Sequence, residues 1–209
     1  MKRIAESTVR RLSLYLSFLE EIEGRGQSTI SSDELAGLGG TTSAQVRKDL
    51  SFFGSFGKRG LGYSVQELCV SIREILGLGR KWRVCIIGAG KIGTALARYE
   101  AFSKRGFYVK AIYDSDASKV GMAVDSLSVR DIGRIEQDAS NEGFDIAVLA
   151  IPPEFAQAVA DRITRAGIKA ILNFAPIQLA VPSDVTVRTV NMALELEGLS
   201  FALTNRGGE

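Results

Sequence analysis

The chain has 209 residues, of which 45% are hydrophobic and 24% charged, and its net charge is +2. This length accommodates one large or two small domains, and the apolar content is enough for a buried core, which excludes an intrinsically disordered chain. The sequence contains no histidine, so no imidazole can bind a metal or act as a general base near neutral pH.

The apolar segments are too short for a membrane protein. No apolar run reaches the roughly 18 to 20 residues needed to span a bilayer, and residues 1–11 lack the apolar stretch of a secretory signal. We therefore expect a cytoplasmic protein with no membrane partner. Cys69 and Cys85 lie in apolar surroundings without a CxxC pair, so we expect two buried thiols and no metal site.

Residues 1–79 have the pattern of a helix-turn-helix domain. Apolar residues recur at helical spacing from Leu12 to Ile22. Ser31 and Glu34 have the spacing of a capping box that begins a short helix, and Thr42 offers a second cap after a Gly-Gly turn. Two short helices joined by a glycine turn are typical of this motif, although the signal is weak by itself.

The second short helix, predicted over residues 43–53, places cations on one face. Its apolar residues share one side, and the opposite side carries Arg47 and Lys48 between the small residues Ala44 and Ser51. Small neighbours let a helix enter the DNA major groove closely, where arginine can pair with guanine. An ordinary solvated surface is the alternative interpretation of this helix taken alone.

Residues 56–65 have the pattern of a β-hairpin with Lys58 and Arg59 at its tip. Such a wing can place arginine in the minor groove of A·T-rich DNA, which attracts cations. Cationic sites for both grooves favour a winged helix that binds double-stranded DNA. A helix over residues 65–76 completes the domain, and residues 77–81 form a predicted linker. The DNA-binding candidates are Arg11, Ser43, Ala44, Gln45, Arg47, Lys48, Ser51, Lys58, Arg59 and Gly60.

The second half has the fingerprint of a Rossmann dinucleotide-binding domain. A predicted strand at residues 83–87 runs into the GxGxxG sequence of residues 88–93, and an amphipathic helix that includes Tyr99 follows. The next strand ends at Asp114, where an acidic residue binds the adenosine ribose and repels a 2′-phosphate. This spacing favours NAD(H) over NADP(H). Lys119 could lie near the same ribose, although a solvated surface lysine is the simpler interpretation.

Further parallel strands complete the predicted sheet, and the loops after such strands line the ligand crevice. Phe174 lies in one of these loops, where contact with nicotinamide and a place in the core both remain open. The strands are predicted at residues 146–150, 170–173 and 185–190, with a helix over residues 154–166. The cofactor-binding candidates are Gly88, Ala89, Gly90, Lys91, Ile92, Gly93, Tyr99, Asp114, Lys119, Asn173 and Phe174.

Three functions fit these two halves. The leading hypothesis is a ligand-controlled DNA-binding repressor, and the second is an NAD-dependent oxidoreductase with an appended helix-turn-helix. The absence of histidine and of a substrate domain counts against the enzyme, because only residues 191–209 remain after the sheet. The third is a DNA-binding sensor of a different adenine-containing ligand, against which Asp114 counts. The remaining residues begin with an apolar-patterned helix that carries Leu194, Leu196, Leu199 and Phe201, and this pattern predicts burial.

Long stretches of the chain, in the same order, resemble the Rex family of redox-sensing repressors. They include AQVRKDLSFFG before the wing, GAGKIG in the glycine loop and AGIKAILNFAP near the end of the sheet. The resemblance covers nearly the whole chain. Its stretches are residues 30–35, 44–54, 59–63, 75–78, 88–93, 166–176 and 199–201.

The resemblance implies an α/β homodimer that senses the NADH/NAD⁺ ratio and is not an enzyme. It would bind an inverted-repeat operator when NADH is scarce and release it when NADH binds. The C-terminal helix would exchange between subunits and pack between the partner's two domains. We therefore expect a winged-helix domain at residues 1–79, a Rossmann-like parallel-sheet domain at residues 80–190, and a swapped dimerisation helix and tail at residues 191–209.

The chain departs from the family pattern at three positions. Lys91 replaces the usual asparagine of the glycine loop and adds a cation near the pyrophosphate. Asn191 stands where many members have aspartate, and Ser17 where some have an arginine that pairs with it. We therefore expect no ion pair between these positions and a switch that depends more on apolar repacking. Tyr99 is the candidate relay, since its hydroxyl can hydrogen-bond to Asn191.

Overall fold

The computed structural model describes residues 4–57 and 61–205. The chain divides into two compact units, which we call unit 1 (Met1–Arg80) and unit 2 (Lys81–Glu209). The division falls within the segment predicted as a linker, and each unit has its own apolar core. Within the described ranges, no helix is both long enough and apolar enough to cross a membrane.

Unit 1 is a small helical domain with one short antiparallel strand pair. The predicted capping box is confirmed, because Ser31 and Glu34 bond reciprocally at the start of the second helix. The predicted cap at Thr42 is confirmed as well, because its hydroxyl accepts from the Gln45 backbone N–H at 3.2 Å. The elements are α1 (Glu6–Gly24), β1 (Thr29–Ile30), α2 (Ser32–Leu38), α3 (Ser43–Ser51), β2 (Tyr63–Ser64) and α4 (Val65–Ile75).

The core of unit 1 forms where four helices turn their apolar faces inward. Each fully buried aliphatic side chain contributes about 1.5–3 kcal/mol relative to an exposed one. Because α3 buries only one side here, its other side remains free for a partner. The inward residues include Leu12, Leu16 and Leu19 of α1, Val46 and Leu50 of α3, and Leu68 and Ile72 of α4.

The wing differs from the predicted hairpin. Strand β2 pairs antiparallel with β1, with Tyr63 opposite Ile30, and residues 54–57 form no strand. Gly57 and Gly62 have φ values of 83° and 76°, which interrupt a strand. A Cβ on Gly57 would lie 2.6 Å from the Gly62 carbonyl oxygen, so these two glycines pack closely together. The predicted tip, Lys58, Arg59 and Gly60, lies outside the described residues.

Unit 2 contains a seven-stranded, mostly parallel sheet in the order β5-β6-β4-β3-β7-β8-β9, in which only β5 is antiparallel to its neighbour. The order reverses at β3, which carries the glycine loop at its end. The strands are β3 (Trp82–Ile87), β4 (Phe107–Asp114), β5 (Ala123–Val124), β6 (Leu127–Asp131), β7 (Ile146–Leu149), β8 (Ala170–Asn173) and β9 (Thr186–Thr189). The helices are α5 (Lys91–Ala97), α6 (Glu100–Lys104), α7 (Ile135–Glu142), α8 (Pro153–Arg165) and α9 (Met192–Thr204).

The two faces of the sheet have separate cores because neighbouring residues of a strand point to opposite sides. Cys85 and Ile87 face a cluster that includes residues of α7 and α8. Val84 and Ile86 face the other cluster, which includes Leu96 of α5. Both cysteines of the chain are buried, as predicted.

Two parts of unit 2 differ from the sequence prediction. The predicted single helix after the glycine loop is broken, since α5 ends at Ala97 and α6 begins at Glu100. Tyr99 therefore lies in an extended conformation before α6 and not on the helix that follows the glycine loop. Residues 123–142, for which the sequence predicts no element, form β5, β6 and α7.

Helix α9 follows the sheet and is exposed along its whole length. Its six large apolar side chains have exposed fractions between 59% and 72%. The predicted burial of its apolar residues is therefore not met within a single chain. The six residues are Met192, Leu194, Leu196, Leu199, Phe201 and Leu203.

Candidate DNA interface and nucleotide pocket

The outward face of α3 carries the cations predicted to enter the major groove. Ala44, Arg47, Lys48 and Ser51 are all exposed. Arg47 donates through Nη1 to the hydroxyl of Ser32 on α2 at 2.7 Å. Its guanidinium is therefore held beside α2 and keeps other N–H groups for a base or a phosphate.

Two other DNA-binding candidates, Arg11 and Gln45, point toward a buried carboxylate. Asp49 of α3 is fully buried. Arg11 donates to it through Nε at 2.6 Å and Nη2 at 2.7 Å, and Gln45 donates through Nε2 at 2.8 Å. Ser43 is the half-buried first residue of α3. Arg11 and Gln45 thus have a structural partner, and their contact with DNA stays a prediction.

The ionisation of Asp49 depends on these donors. Burial opposes ionisation of the carboxyl, but hydrogen bonds from Arg11, Gln45 and Tyr15 outweigh it and hold the pKa below its ordinary value. Tyr15 donates its hydroxyl to Asp49 at 3.1 Å. Burial, followed by the charge of Asp49, raises the pKa of Tyr15 to about 12. At neutral pH the carboxylate is charged and the phenol keeps its proton, as these hydrogen bonds require.

A pocket of about 360 Å³ opens in unit 2 at the carboxyl ends of β3, β4 and β7. This is the place where ligands bind in open parallel sheets. The glycine loop, the segment after β4 and the start of α8 supply its walls. They include Gly88, Gly90, Asp114, Lys119, Ile151 and Phe155.

The three glycines of the loop have different roles. A Cβ on Gly93 would lie 1.8 Å from the Gly88 carbonyl oxygen, and one on Gly88 would lie 2.3 Å from that of Ala150. These two positions therefore permit close packing. Gly90 has no atom within 4 Å of an added Cβ and lines the pocket. It precedes α5 without a side-chain cap, so a pyrophosphate can approach the backbone N–H groups there.

Asp114 supplies an ionised acceptor to the pocket wall. Its Oδ2 accepts from the Ala89 backbone N–H at 2.8 Å and from Lys119 Nζ at 3.0 Å, and its Oδ1 accepts from the Asp116 N–H at 2.9 Å. Burial opposes ionisation, but these donors hold the pKa of Asp114 below its ordinary value. Such a carboxylate can accept from ribose hydroxyls. Lys119 is half-buried against it, and is not the solvated lysine of the simpler interpretation.

The other loop candidates lie at the start of α5. Ala89 contributes the backbone N–H that reaches Asp114. Lys91 and Ile92 are both exposed, and Ile92 keeps 54% of its surface accessible. Their predicted contacts with a cofactor remain predictions.

Asn173 has a supporting role where we expected a ligand contact. It is fully buried, and its Nδ2 donates to the carbonyl oxygens of Ala175 and Ile177, both at 3.0 Å. Its Oδ1 accepts from the Ala175 N–H at 2.9 Å. The amide is committed to its own loop because both of its ends are bonded there. A sequence pattern cannot distinguish this role from a ligand contact, since both place asparagine after a strand.

Phe174 and Tyr99 lie away from the pocket lined by Asp114. Phe174 packs on the apolar cluster of the α5 side, which is the core role that the sequence left open. Tyr99 is 57% exposed and meets Phe102 edge to face, with ring centroids 5.2 Å apart. Tyr99 and Phe102 line a second cavity, which we call the apolar groove.

The apolar groove has a volume of about 500 Å³ and exposes the α6 side of β7, β8 and β9. Val148 and Leu172 lie on its floor, and Arg105 and Arg188 also line it. Asn191 caps α9, because its Oδ1 accepts from the Ala193 N–H at 3.0 Å. The hydrogen bond between Asn191 and the hydroxyl of Tyr99 stays a prediction.

Sequence reasoning missed several functional positions. In unit 1, Asp49 accepts the hydrogen bonds of several surrounding side chains. The sequence signal that could have identified it is an acidic residue on the apolar side of an amphipathic helix. Phe155 and Asp116 join the nucleotide pocket because they follow β7 and β4 at the same edge. Within residues 4–57 and 61–205, no group of three or more Cys, Asp or Glu side chains is placed to hold a metal ion.

Two family models match the chain, one in each unit. The model described as "Putative DNA-binding protein N-terminus" matches residues 3–51, which end with α3. The model described as "CoA binding domain" matches residues 79–177, which include the glycine loop and Asp114.

The similarity to known proteins covers nearly the whole chain. A redox-sensing transcriptional repressor Rex from Carboxydothermus hydrogenoformans is 44% identical over 199 residues, which cover 95% of this chain and 96% of the relative. A crystal structure of RSP in complex with β-NAD⁺ and operator DNA has a TM-score of 0.94 at 40% identity and covers 99% of this chain and 95% of that one. RSP with β-NADH has a TM-score of 0.91 at 38% identity, with coverages of 99% and 97%.

Proposed function

This chain belongs to the Rex family of redox-sensing transcriptional repressors, and we propose that it binds an inverted-repeat DNA operator through unit 1 and senses NADH against NAD⁺ through unit 2. NADH binding releases the operator. The relatives are named as repressors, so the nicotinamide domain serves as a sensor and the oxidoreductase alternative is set aside. A repressor of this kind acts in the cytoplasm, where its DNA is.

The observation that carries this proposal is the pocket of unit 2. Gly90 offers an open approach to the backbone, and Asp114 offers an ionised acceptor on the same wall. These two features fit a pyrophosphate and an adenosine ribose. The negative charges of Asp114 and Asp116 disfavour a 2′-phosphate. When bound, NADH supplies a nicotinamide whose redox state differs from that of NAD⁺, and the residues of this chain only bind and orient it.

Unit 1 supports the DNA half of the proposal. The exposed face of α3 presents Arg47 and Lys48 between small side chains, which suits entry into the major groove. The predicted wing would place Arg59 in the minor groove and Lys58 on a phosphate. Two copies of α3 would read the two halves of an inverted repeat.

The homodimer follows from two exposed apolar surfaces. Helix α9 exposes six large apolar side chains, and the apolar groove exposes the face of three strands. Such surfaces mark interaction sites. We infer that α9 of each subunit occupies a surface of the partner, and that this exchange couples the nucleotide pocket to the DNA-binding unit.

A mobility-shift titration tests the function. The probe is an inverted-repeat duplex that the chain itself enriches from a random-sequence pool, with NADH and NAD⁺ added separately. We expect NADH to release the duplex at lower concentration than NAD⁺. Gly90→Val should abolish NADH binding and keep DNA binding, because the added side chain fills the approach to the pyrophosphate. Gly24→Val is the control, since its Cβ also meets nothing within 4 Å.

Two results would contradict parts of this proposal. One is undiminished NADH affinity of Gly90→Val in calorimetry, which would show that the ligand does not lie on the glycine loop. The other is a chain that turns over candidate alcohol or aldehyde substrates with NAD⁺, which would return the oxidoreductase alternative.

Truncation before Asn191 tests the role of α9. We expect the shortened chain to lose NADH-driven release. Asn191→Ala should change release little, because Asn191 makes a neutral bond worth about 0.5–1.5 kcal/mol. Full NADH-induced release by a truncated chain that still dimerises would exclude α9 as the coupling element.

A further inference from the structure

The buried carboxylate of Asp49 is a feature of unit 1 that the proposed function does not yet use. Its two oxygens accept five hydrogen bonds, from Thr8, Arg11 and Tyr15 of α1 and Gln45 of α3. Arg11 also donates to the Thr8 hydroxyl at 3.2 Å, so the donors are bonded to one another as well. We call this cluster the Asp49 clasp.

We propose that Asp49 is a positioning residue of the DNA interface, which fixes α3 on α1 so that Arg47 and Lys48 meet the operator in the correct register. Asp49 itself does not touch DNA, because it is fully buried. This inference rests on the proposed function of unit 1.

The geometry of the clasp supports a role in orientation. Helix α3 spans only Ser43–Ser51, which is too short to be stable alone. Its apolar contacts through Val46 and Leu50 are non-directional and tolerate small rotations. The fork of Arg11 on a carboxylate is directional, since two parallel N–H groups must meet two oxygens. The clasp therefore determines the rotation of α3 about its axis.

The sequence position of Asp49 supports the same conclusion. Asp49 directly follows Lys48, so a rotation that displaces the carboxylate also displaces the cations beside it. The three donors of α1, at positions 8, 11 and 15, lie on one face of that helix and form a rigid edge. The orientation of Arg47 and Lys48 toward DNA thus depends on the hydrogen bonds that Asp49 makes on the buried side of α3.

The sign of the charge distinguishes positioning from simple electrostatics. A negative charge on the DNA-binding helix repels phosphates, so its removal should strengthen binding to any duplex by charge alone. A buried ion pair is also a weak device for stability, because a well-packed apolar residue serves as well. If Asp49 positions α3, its removal weakens binding to the operator in spite of the charge gained.

The test compares three full-length variants. Asp49→Asn keeps the shape and removes the charge, and Arg11→Met removes the fork. Arg73→Met is the matched control, because Arg73 also pairs across helices, with Glu20 of α1, but does not touch α3. Dissociation constants are measured for the enriched inverted-repeat duplex and for a scrambled duplex of the same composition, well below each variant's melting temperature.

We expect Asp49→Asn to bind the inverted repeat about 10- to 100-fold more weakly, the range of a lost base contact. Its affinity for the scrambled duplex should stay equal or rise slightly, because only charge matters there. Arg11→Met should show the same loss of preference, and Arg73→Met should keep the wild-type preference. Arg11→Lys, which retains the charge and one donor, should recover part of it. Operator affinity of Asp49→Asn within twofold of wild type would overturn the proposal, as would an equal loss on both duplexes.

A readout without DNA separates this inference from the proposed function. If the wild-type chain enriches no duplex, the proposed function fails, and hydrogen exchange of the α3 backbone amides then decides the clasp. We expect faster exchange over residues 43–51 in Asp49→Asn and Arg11→Met, with Arg73→Met unchanged. Unchanged exchange in the first two would overturn the clasp. If Asp49→Asn does not fold, Tyr15→Phe, which removes a single donor, replaces it with the same expected direction and a smaller effect.

Discussion

Unit 1 buries the ionised Asp49 and unit 2 the ionised Asp114, and the two carboxylates have different roles. Asp49 is fully buried and Asp114 is 8% exposed, and hydrogen bonds hold the pKa of each below its ordinary value. The donors to Asp49 are side chains of its own unit. Two of the donors to Asp114 are backbone N–H groups, and the third is a half-buried lysine on a pocket wall.

The role of a buried aspartate therefore depends on its hydrogen-bond donors and on the space beside it. The oxygens of Asp49 accept five hydrogen bonds from side chains of unit 1, so this carboxylate acts on the arrangement of α1 and α3. Asp114 lines a pocket of about 360 Å³ together with Lys119. A buried carboxylate is therefore a candidate binding group where a pocket adjoins it.

Replacement of Asp49 by Ala should give the largest loss of stability. It leaves Arg11 without its partner, and breaking a buried pair costs about 3–5 kcal/mol, here toward the lower end because Arg11 is partly exposed. Hydrogen exchange of α3 reports unit 1, and fluorescence of the single tryptophan, Trp82, reports unit 2. A fall in the stability of unit 2 equal to that of unit 1 would break the comparison.

Replacement of Asp114 by Ala should instead affect the ligand. Loss of a charged acceptor for the ribose should weaken NADH binding by about 1.5–3 kcal/mol, and unit 2 should lose less stability than unit 1 loses in Asp49→Ala. Lys119, released from Asp114 and left beside Asp116, should also raise the affinity for NADPH relative to NADH. Calorimetry with both nucleotides checks this, and Asp161→Ala, at an exposed aspartate of α8 outside the pocket lining, is the control. An unaltered NADH affinity would place the ribose elsewhere.

Acid should expose the contribution of each carboxylate to its own unit. Each folded pKa lies below the ordinary value of 3.8. The stabilisation is therefore complete above about pH 3.8 and is lost as the pH falls through the folded pKa, with a limiting slope of about 1.4 kcal/mol per pH unit for one proton. Asp49→Asn should make the free energy of unfolding of unit 1 fall less steeply at low pH, without changing unit 2. Asp114→Asn should do the same for unit 2 alone. Denaturant unfolding at several pH values measures the stability of both units. If neither variant alters the loss of stability at low pH, other titratable groups cause it.

Replacement of Tyr15 by Phe should have the smallest effect. It removes one of the hydrogen bonds to the ionised Asp49 and keeps the ring in the core, so unit 1 should lose about 1.5 kcal/mol, the lower end for a bond to a charged group. The bonds from Arg11 to Asp49 remain. A loss as large as that of Asp49→Ala in denaturant unfolding would show that the phenol, and not the arginine, dominates the clasp.

The sequence identified most elements of the fold and the centre of each site. Caps at Ser31 and Thr42 located two helices, because these signals act within one turn of the chain. The glycine loop and Asp114 were recognisable because the loop must approach a pyrophosphate and the acid must follow the next strand. The break of the helix at residues 98–99 and the small elements of residues 123–142 had no local signal, because packing against the sheet produces them.

What the sequence determined by itself was chemistry with a short-range cause: periodic apolar faces, capped helix starts, a cationic surface on α3 and a glycine loop ahead of an acid. The tertiary structure decided which polar side chains face one another. It turned Arg11 and Gln45 inward to Asp49, bound the amide of Asn173 within its own loop and left α9 exposed. The pair of Arg11 and Asp49 joins residues 38 positions apart, which meet only after α1 and α3 have packed, so no pattern along the chain contains it. Gln45 and Asn173 choose among partners close in sequence, and the packing around them decides that choice.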